Sequence, residues 1–156
     1  MASKLQKELK QAKPFAGIEE EVFLNLLRTA DALSRPLAEM LKRAGLTPTQ
    51  YNVLRILRGA GECGAACREI SDRLITKDPD ITRLLDRMED RGLVTREREE
   101  RDRRRIATRI TDEGLRLLAE WDGRVEELLR EQLGHMDEKK LARLNELLEA
   151  ARGDGA

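Results

Sequence analysis

The segment that decides the fold is residues 92–111, GLVTREREERDRRRIATRIT. Positions 96–105 within it are ten consecutive charged residues, six Arg and four acids. Such a run can form a solvated helix held by i, i+4 ion pairs. Here Gly92 ends the preceding helical pattern, and β-branched residues recur at every second position after the run, which is the period of a strand. These alternating residues are Ile106, Thr108 and Ile110. The pattern predicts a β-hairpin with a charged tip at residues 99–103.

Two predicted helices precede this hairpin, over residues 66–74 and 79–91, and the turn ITKDPD joins them. Apolar residues in the second helix follow the i, i+3, i+4, i+7 spacing of one helix face. They are Ile81, Leu84, Leu85 and Met88. A helix-turn-helix followed by a two-stranded hairpin is a winged helix-turn-helix. In that motif the second helix lies in the DNA major groove, and an Arg-bearing hairpin can reach the adjacent minor groove.

The rest of the chain is predicted to be helical, so the expected fold is mainly α with a small β-hairpin wing. The predicted helices span residues 3–12, 18–44, 48–59, 112–133 and 137–151. Pro36 lies inside the long second helix, where it removes a backbone donor, and we expect it to kink or split that helix. Thr47 is suited to cap the helix that begins at Pro48, with Gln50 completing a capping box.

Composition sets outer bounds on the function. The 156 residues suit one domain, or a small domain with appended helices, and an aromatic content of 3% favours a Leu- and Ala-rich helical core. The formal net charge is zero, so only local charge can indicate a nucleic-acid partner. Residues 101–109 hold five Arg and one Asp. Neither a signal peptide nor a long apolar run is present, and we expect a cytoplasmic protein without a membrane partner.

No catalytic motif is found in the sequence. There is a single His and no glycine-rich phosphate-binding loop, so neither an enzyme nor a bound cofactor or metal is expected. Cys63 and Cys67 are separated by three residues, without the second ligand pair that zinc requires. We interpret them as ordinary reduced thiols. The alternative is a redox-sensing regulator, since Cys67 is predicted at a helix start where a thiol becomes more reactive.

The predicted recognition helix supplies the candidate base contacts. Thr82 and Arg83 face outward near its start, where side chains reach base edges. Arg87 can contact DNA or pair with a neighbouring acid. Asp80 repels phosphate unless it accepts a hydrogen bond from cytosine. Lys77, in the preceding turn, is a candidate phosphate contact.

The predicted wing supplies the other candidate DNA contacts. Arg103 and Arg104 are the candidates for minor-groove or phosphate contact, and Arg101 and Arg105 for phosphate contact. The alternative is a flexible charged loop with no role in binding. Acidic residues in the same run weaken the wing's affinity and make binding more selective against non-specific DNA.

Four segments together resemble the MarR family of bacterial transcription regulators: LTPTQYNVLRIL, REISDRL, ITRLLDRMEDRGLVTRE and RDRRRIATRITDEG. The resemblance spans about residues 45–115. It implies a homodimer with dimerisation helices in 1–46 and 112–156 and a DNA-binding domain in 47–111. It also implies repression at a pseudo-palindromic operator, relieved by a small-molecule effector or an oxidant, and a wing in which Asp102 holds an Arg in position. The alternatives are a winged-helix protein-interaction module and a purely structural helical dimer.

Overall fold

The computed structural model describes residues 2–100, 102 and 104–153. These residues form a mainly helical fold with one antiparallel hairpin, which confirms the predicted fold class. The elements are α1 (Lys4–Glu8), α2 (Ile18–Lys42), α3 (Pro48–Ala60), a 3-10 turn (Gly61–Cys63), α4 (Cys67–Arg73), α5 (Ile81–Asp90), β1 (Val94–Arg98), β2 (Ile106–Ile110), α6 (Asp112–Leu133) and α7 (Glu138–Arg152). None of the described helices is long and apolar enough to cross a membrane.

The chain divides into two compact units between Met40 and Leu41. The first unit contains α1, which Ser3 caps, and most of α2. Of the kink or split predicted at Pro36, the split does not occur, because α2 continues from Ile18 to Lys42 with the proline inside it. A proline removes one hydrogen bond from the helical ladder, and in a helix of 25 residues the turns on both sides keep theirs.

The second unit contains the predicted helix-turn-helix and hairpin, and local caps set its helix boundaries. Thr47 and Gln50 form the predicted capping box at the start of α3, with Thr47 Oγ1 accepting from the Gln50 amide at 3.1 Å. Thr111 caps α6 in the same way, through the Gly114 amide at 3.1 Å. Each cap satisfies amides that have no partner within the first turn of a helix.

The hydrophobic core of this second unit is aliphatic, as the scarcity of aromatic residues requires. Its fully buried large side chains come from α3, α4, α5, α6, β1 and the end of α2, which surround the hairpin's base. They are Leu41, Val53, Leu54, Leu57, Ile70, Leu85, Met88, Val94 and Leu118. This core holds α4 against α3 and α5 against α4, and it leaves the polar face of α5 outside.

The hairpin follows α5 directly. Gly92 adopts φ +70, a left-handed conformation that favours glycine, and its amide donates to the Glu89 carbonyl at 2.8 Å. The strands β1 and β2 pair antiparallel, with Arg96 opposite Thr108. Burial along β2 does not alternate as predicted, because Ala107 and Thr108 are both buried. Three helices, α3, α4 and α6, contact β2, so its centre is covered on both faces.

Candidate nucleic-acid interface

The recognition helix α5 presents a polar face that the sequence predicts correctly. Leu84, Leu85 and Met88 are buried, whereas Thr82 and Arg83 are exposed near the helix start. The helix begins at Ile81 and not at the predicted residue 79. The reason is a local side-chain bond: Asp78 Oδ1 accepts from the Asp80 amide at 2.8 Å and keeps Asp80 outside the helical conformation.

The cationic side chains of this region differ in how strongly they are already bound to other groups of the protein. Lys77 Nζ donates to the carbonyls of Ser71 and Asp72, each at 3.1 Å, and so closes the C-terminal end of α4. Its predicted phosphate contact stays a prediction, in competition with these two bonds. Arg83 forms a long ion pair with Asp80 at 3.6 Å, in which both side chains are more than half exposed. Exposed pairs of this kind are weak, so Arg83 remains available to DNA.

Arg87 was predicted either to contact DNA or to pair with a neighbouring acid on α5. Its Nε donates to the Arg83 carbonyl at 3.3 Å. Within the described part of the chain its guanidinium pairs with neither Asp86 nor Asp90. Asp86 instead pairs with an arginine of the hairpin, which leaves the charge of Arg87 exposed on the outer face of α5.

That hairpin arginine is Arg96, which fastens β1 to the recognition helix. Its Nε and Nη2 donate to Glu89 Oε2 at 2.9 and 2.7 Å, and its backbone amide donates to Glu89 Oε1 at 3.0 Å. Nη2 also reaches Asp86 Oδ1 at 2.5 Å. The hydrogen bonds to Glu89 raise the pKa of Arg96 despite partial burial. The hairpin and α5 are therefore fixed to each other by charge-assisted hydrogen bonds that converge on the Glu89 carboxylate.

Arg105 ties the base of the tip to α4. Its guanidinium bonds Glu99 Oε1 at 2.5 Å and Glu69 Oε2 at 2.7 Å, and Glu69 also accepts from the Ala66 amide at 2.6 Å. The backbone bond from Ala66 and the guanidinium of Arg105 hold the pKa of Glu69 below its usual range. Arg105 was predicted to contact phosphate. In the structure Glu99 and Glu69 already neutralise Arg105. A phosphate contact would have to compete with these two ion pairs, and it stays a prediction.

Two other hairpin arginines differ from Arg96 and Arg105. Among the described residues, Arg98 and Arg104 lie within ion-pair distance of no carboxylate. Arg98 was not among the predicted contacts. The signal that could have identified it is strand register: it lies opposite Ile106, on the same face of β1 as Arg96, two residues nearer the tip.

Asp102 organises the tip through backbone bonds. Its Oδ1 accepts from the Arg104 amide at 3.0 Å, and its carbonyl accepts from the Arg105 amide at 2.9 Å. The resemblance implied that Asp102 holds an Arg in position, and here it holds the main chain of Arg104. The predicted contacts Arg101 and Arg103 lie outside the described residues.

Comparisons with known proteins agree with this geometry. A sequence model described as the MarR family matches residues 44–105, which span α3 to the hairpin tip. The crystal structure of a MarR transcription factor from Planctomyces limnophilus is 39% identical, with a TM-score of 0.67, and covers 88% of this chain and 99% of that one. The chain belongs to the MarR family.

Two further MarR-type relatives extend the likeness beyond the hairpin. The HTH-type transcriptional repressor IacR of Pseudomonas putida is 30% identical over 131 residues, which are 84% of this chain and 77% of that protein. The PcaV transcriptional regulator of Streptomyces coelicolor, solved with its natural ligand, is 25% identical with a TM-score of 0.68, over 82% of this chain and 92% of that one. The protein is accordingly a winged helix-turn-helix transcription regulator of the MarR type.

The two cysteines flank Ala65, which pairs with Thr108 of β2, and the histidine follows α6. Cys63 is exposed in the 3-10 turn, Cys67 is half-buried as the first residue of α4, and both are free thiols. Their interpretation as ordinary reduced thiols stays a prediction, with oxidant sensing as the alternative. His135 is exposed between α6 and α7, next to the Gly134 cap.

A polar cluster that sequence reasoning missed joins α3 to α6. Asp122 Oδ1 accepts from Tyr51 Oη at 2.8 Å, and Asp122 Oδ2 accepts from Arg58 Nη1. We call Tyr51, Arg58 and Asp122 the Asp122 clasp. Burial disfavours the charged carboxylate, but the bonds from Arg58 and Tyr51 outweigh it and hold the pKa of Asp122 below its ordinary value. Burial and the bond to Asp122 raise the pKa of Tyr51 to about 12.

The clasp predicts an unusual phenol titration in this MarR protein. Tyr51 is the single Tyr of the chain, so absorbance near 295 nm reports its ionisation alone. We expect a midpoint near 12 in the folded protein and about 10 in denaturant. Because the folded pKa is the higher one, the stability from this phenol is complete below about pH 10 and is lost as pH rises towards 12.

The Asp122→Asn variant tests the cause of this titration shift. It leaves the burial of Tyr51, the largest cause of the raised pKa, in place and removes the Asp122 charge that adds to it, so we expect the folded-state midpoint to fall below that of the wild type and to stay above 10. Circular dichroism at each pH shows whether the chain is still folded. A wild-type midpoint of 10 in folded protein would contradict the observed bond.

Proposed function

We propose that this protein is a homodimeric repressor that binds a pseudo-palindromic operator. In this proposal residues 47–111 bind DNA, and residues 1–46 and 112–156 provide dimerisation helices. Each α5 enters the major groove of one half-site, and each hairpin contacts the sugar-phosphate backbone or the minor groove beside it. Base edges are read by Thr82 and Arg83. The role of Asp80 is to accept a hydrogen bond from cytosine or to exclude other bases.

One observation carries this proposal: some arginines of the hairpin are paired with carboxylates, and others have no such partner among the described residues. Arg96 and Arg105 are neutralised by carboxylates and hold the hairpin against α5 and α4. In the part of the chain that the structure describes, Arg98 and Arg104 of the same hairpin are exposed and have no carboxylate partner. A chain with zero net charge thus presents positive charge at the place where a winged helix meets phosphate. A protein-interaction module would not require this arrangement.

Uncovered apolar surface supports the homodimer. One face of α2 exposes large apolar side chains at helical spacing. They are Ile18, Val22, Phe23, Leu26 and Leu27, between 37% and 66% exposed. None of the residues of α7 is fully buried, and Leu147 is 51% exposed. An isolated helix of this length is marginal in water, so α7 needs a partner surface. A second copy supplies one by two-fold symmetry.

A cleft beside the Asp122 clasp is our candidate for an effector site. It has a volume of about 480 Å³, and its walls include Arg58, Arg109, Glu62, Asp112, Ile110 and Leu115. Charged groups of both signs beside aliphatic side chains suit a small polar molecule with an apolar body. The ligand bound to PcaV, a relative of the same family, supports the presence of an effector. Binding of a small polar organic molecule that weakens operator affinity is the expected behaviour.

The proposed function is tested by selecting sequences from a random DNA pool with the purified full chain. We expect an inverted repeat whose half-site centres are about 10 base pairs apart, or a multiple of one helical turn. Recovery of a single unrepeated site contradicts the two-fold model. Recovery of no preferred sequence contradicts a sequence-specific regulator.

Arg98 and Arg104 lead to a prediction about the salt dependence of DNA binding. For Arg98→Ala and Arg104→Ala we expect weaker binding to every sequence and a slope of log K against log salt that is smaller by about 1 for each variant. The control is Arg143→Ala on α7, which loses the same charge from an exposed pair with Glu146. If all three variants keep the wild-type slope, the hairpin does not contact phosphate.

A further inference from the structure

A single carboxylate contacts α3 at two points. Asp122 lies midway along α6, and its two oxygens bind Tyr51 and Arg58, which are seven residues apart on α3. Residues at this spacing lie on the same face of a helix, about 10 Å apart along its axis. The carboxylate is therefore held from both sides along the direction of α3.

These two bonds restrict motions that the surrounding apolar packing permits. Leu118, Trp121 and Val125 of α6 are buried, and burial of apolar surface has no preferred direction. A hydrogen bond persists only while its donor–acceptor distance changes by no more than a few tenths of an ångström and its angle stays within a limited range. When α6 slides along α3, the distance from Asp122 to Tyr51 or to Arg58 must increase. When α6 rotates about its axis, both bonds are lost.

The relative position of α3 and α6 matters because of what each helix connects. α3 packs with α4 and β2, in the block that carries α5 and the hairpin. α6 leads into α7, whose exposed Leu147 belongs to the surface proposed to meet a second copy. In a two-fold dimer, a change in the crossing of α3 and α6 moves the two α5 helices relative to each other.

We propose that Asp122 is a positioning residue that sets the half-site spacing which the dimer recognises. This inference rests on the proposed function, because spacing has a meaning only for a dimer on two half-sites. One base pair separates half-sites by a further 3.4 Å or so and turns them by about a tenth of a helical turn. A clasp that fixes the crossing of α3 and α6 makes the dimer reject such displacements, and a dimer without the clasp tolerates them.

The test measures affinity by fluorescence anisotropy on operators that differ only in spacing. The selected half-sites are placed at the preferred spacing and at one and two base pairs on either side, beside a duplex with a single half-site. We expect wild-type protein to bind the preferred spacing most tightly. For Asp122→Asn, the ratio between the preferred and neighbouring spacings falls about three-fold or more, with single half-site affinity unchanged.

Tyr51→Phe is the second variant, since it removes one of the two bonds and retains the ring. We expect it to reduce the spacing ratio by less than Asp122→Asn does. The matched control is Glu113→Gln, which breaks the exposed pair with Arg116 on the same helix and leaves the ratio unchanged. Tyr51→Phe also keeps the inference testable if Asp122→Asn fails to fold.

The outcomes separate this inference from the function on which it rests. An equal loss at every spacing in both variants means that the clasp is structural only, and the inference is wrong. Spacing ratios like those of wild type in both variants also overturn it. If wild-type protein itself shows no dependence on spacing, the two-fold model fails, independently of the clasp.

Discussion

Gly114→Ala is expected to destabilise the protein by about 1–3 kcal/mol, although alanine is the better helix former. A Cβ at position 114 would lie 2.5 Å from the Leu93 carbonyl oxygen and 2.7 Å from Ile110 Cγ1. The Ile110 side chain can rotate, but the Leu93 carbonyl is backbone and accepts from the Thr111 amide at 3.1 Å. Relief of the clash must therefore displace the junction between α5 and the hairpin.

The matched control is Gly123→Ala on the same helix. A Cβ there meets nothing within 4 Å, so we expect stabilisation by about 0.5–1 kcal/mol. Urea denaturation followed by circular dichroism at one fixed protein concentration gives both values, since a dimer's stability depends on concentration. The steric explanation predicts changes of opposite sign in the free energy of unfolding for the two substitutions. Equal effects of the two substitutions would falsify the steric explanation.

Features encoded by neighbouring residues could be predicted from the sequence. The Thr47 capping box, the Thr111 cap and the left-handed Gly92 each depend on residues within four positions. For the same reason, the predicted bounds of α6 match those observed. The error at the start of α5 is also local. The predicted start was wrong because the Asp78 side chain competes for the Asp80 amide. The helical spacing of apolar residues gives no sign of that competition.

The distribution of charge partners could not be predicted. The run at residues 96–105 contains six arginines and four acids, and nothing in the sequence shows which of the arginines are paired. Arg105 is neutralised by Glu69, which is 36 positions away, while Arg98 has no partner among the described residues. The Asp122 clasp joins residues more than 60 positions apart. Such pairings are set by how helices pack, and a single sequence gives only the residue types.

Leu147→Glu is expected to raise the dimer dissociation constant by about 100-fold or more. Leu147 is half exposed in the protomer, and two-fold symmetry places two copies of it in the proposed interface. The loss of two half-buried leucines amounts to about 2–3 kcal/mol, before the cost of desolvating two carboxylates is added. Sedimentation across a range of protein concentrations measures the dissociation constant directly.

The operator affinity of Leu147→Glu distinguishes lost dimerisation from lost DNA contact. We expect weak binding at low protein concentration and recovery at high concentration, because the DNA-reading residues are unchanged and only assembly is impaired. Ala142→Glu is the control. Ala142 is exposed on the polar side of α7, and its substitution adds the same charge to the same helix. If both variants dissociate equally, charge and not the leucine face governs assembly. If Leu147→Glu remains a dimer at nanomolar concentration, α7 does not form the interface, and the exposed face of α2 becomes its main candidate.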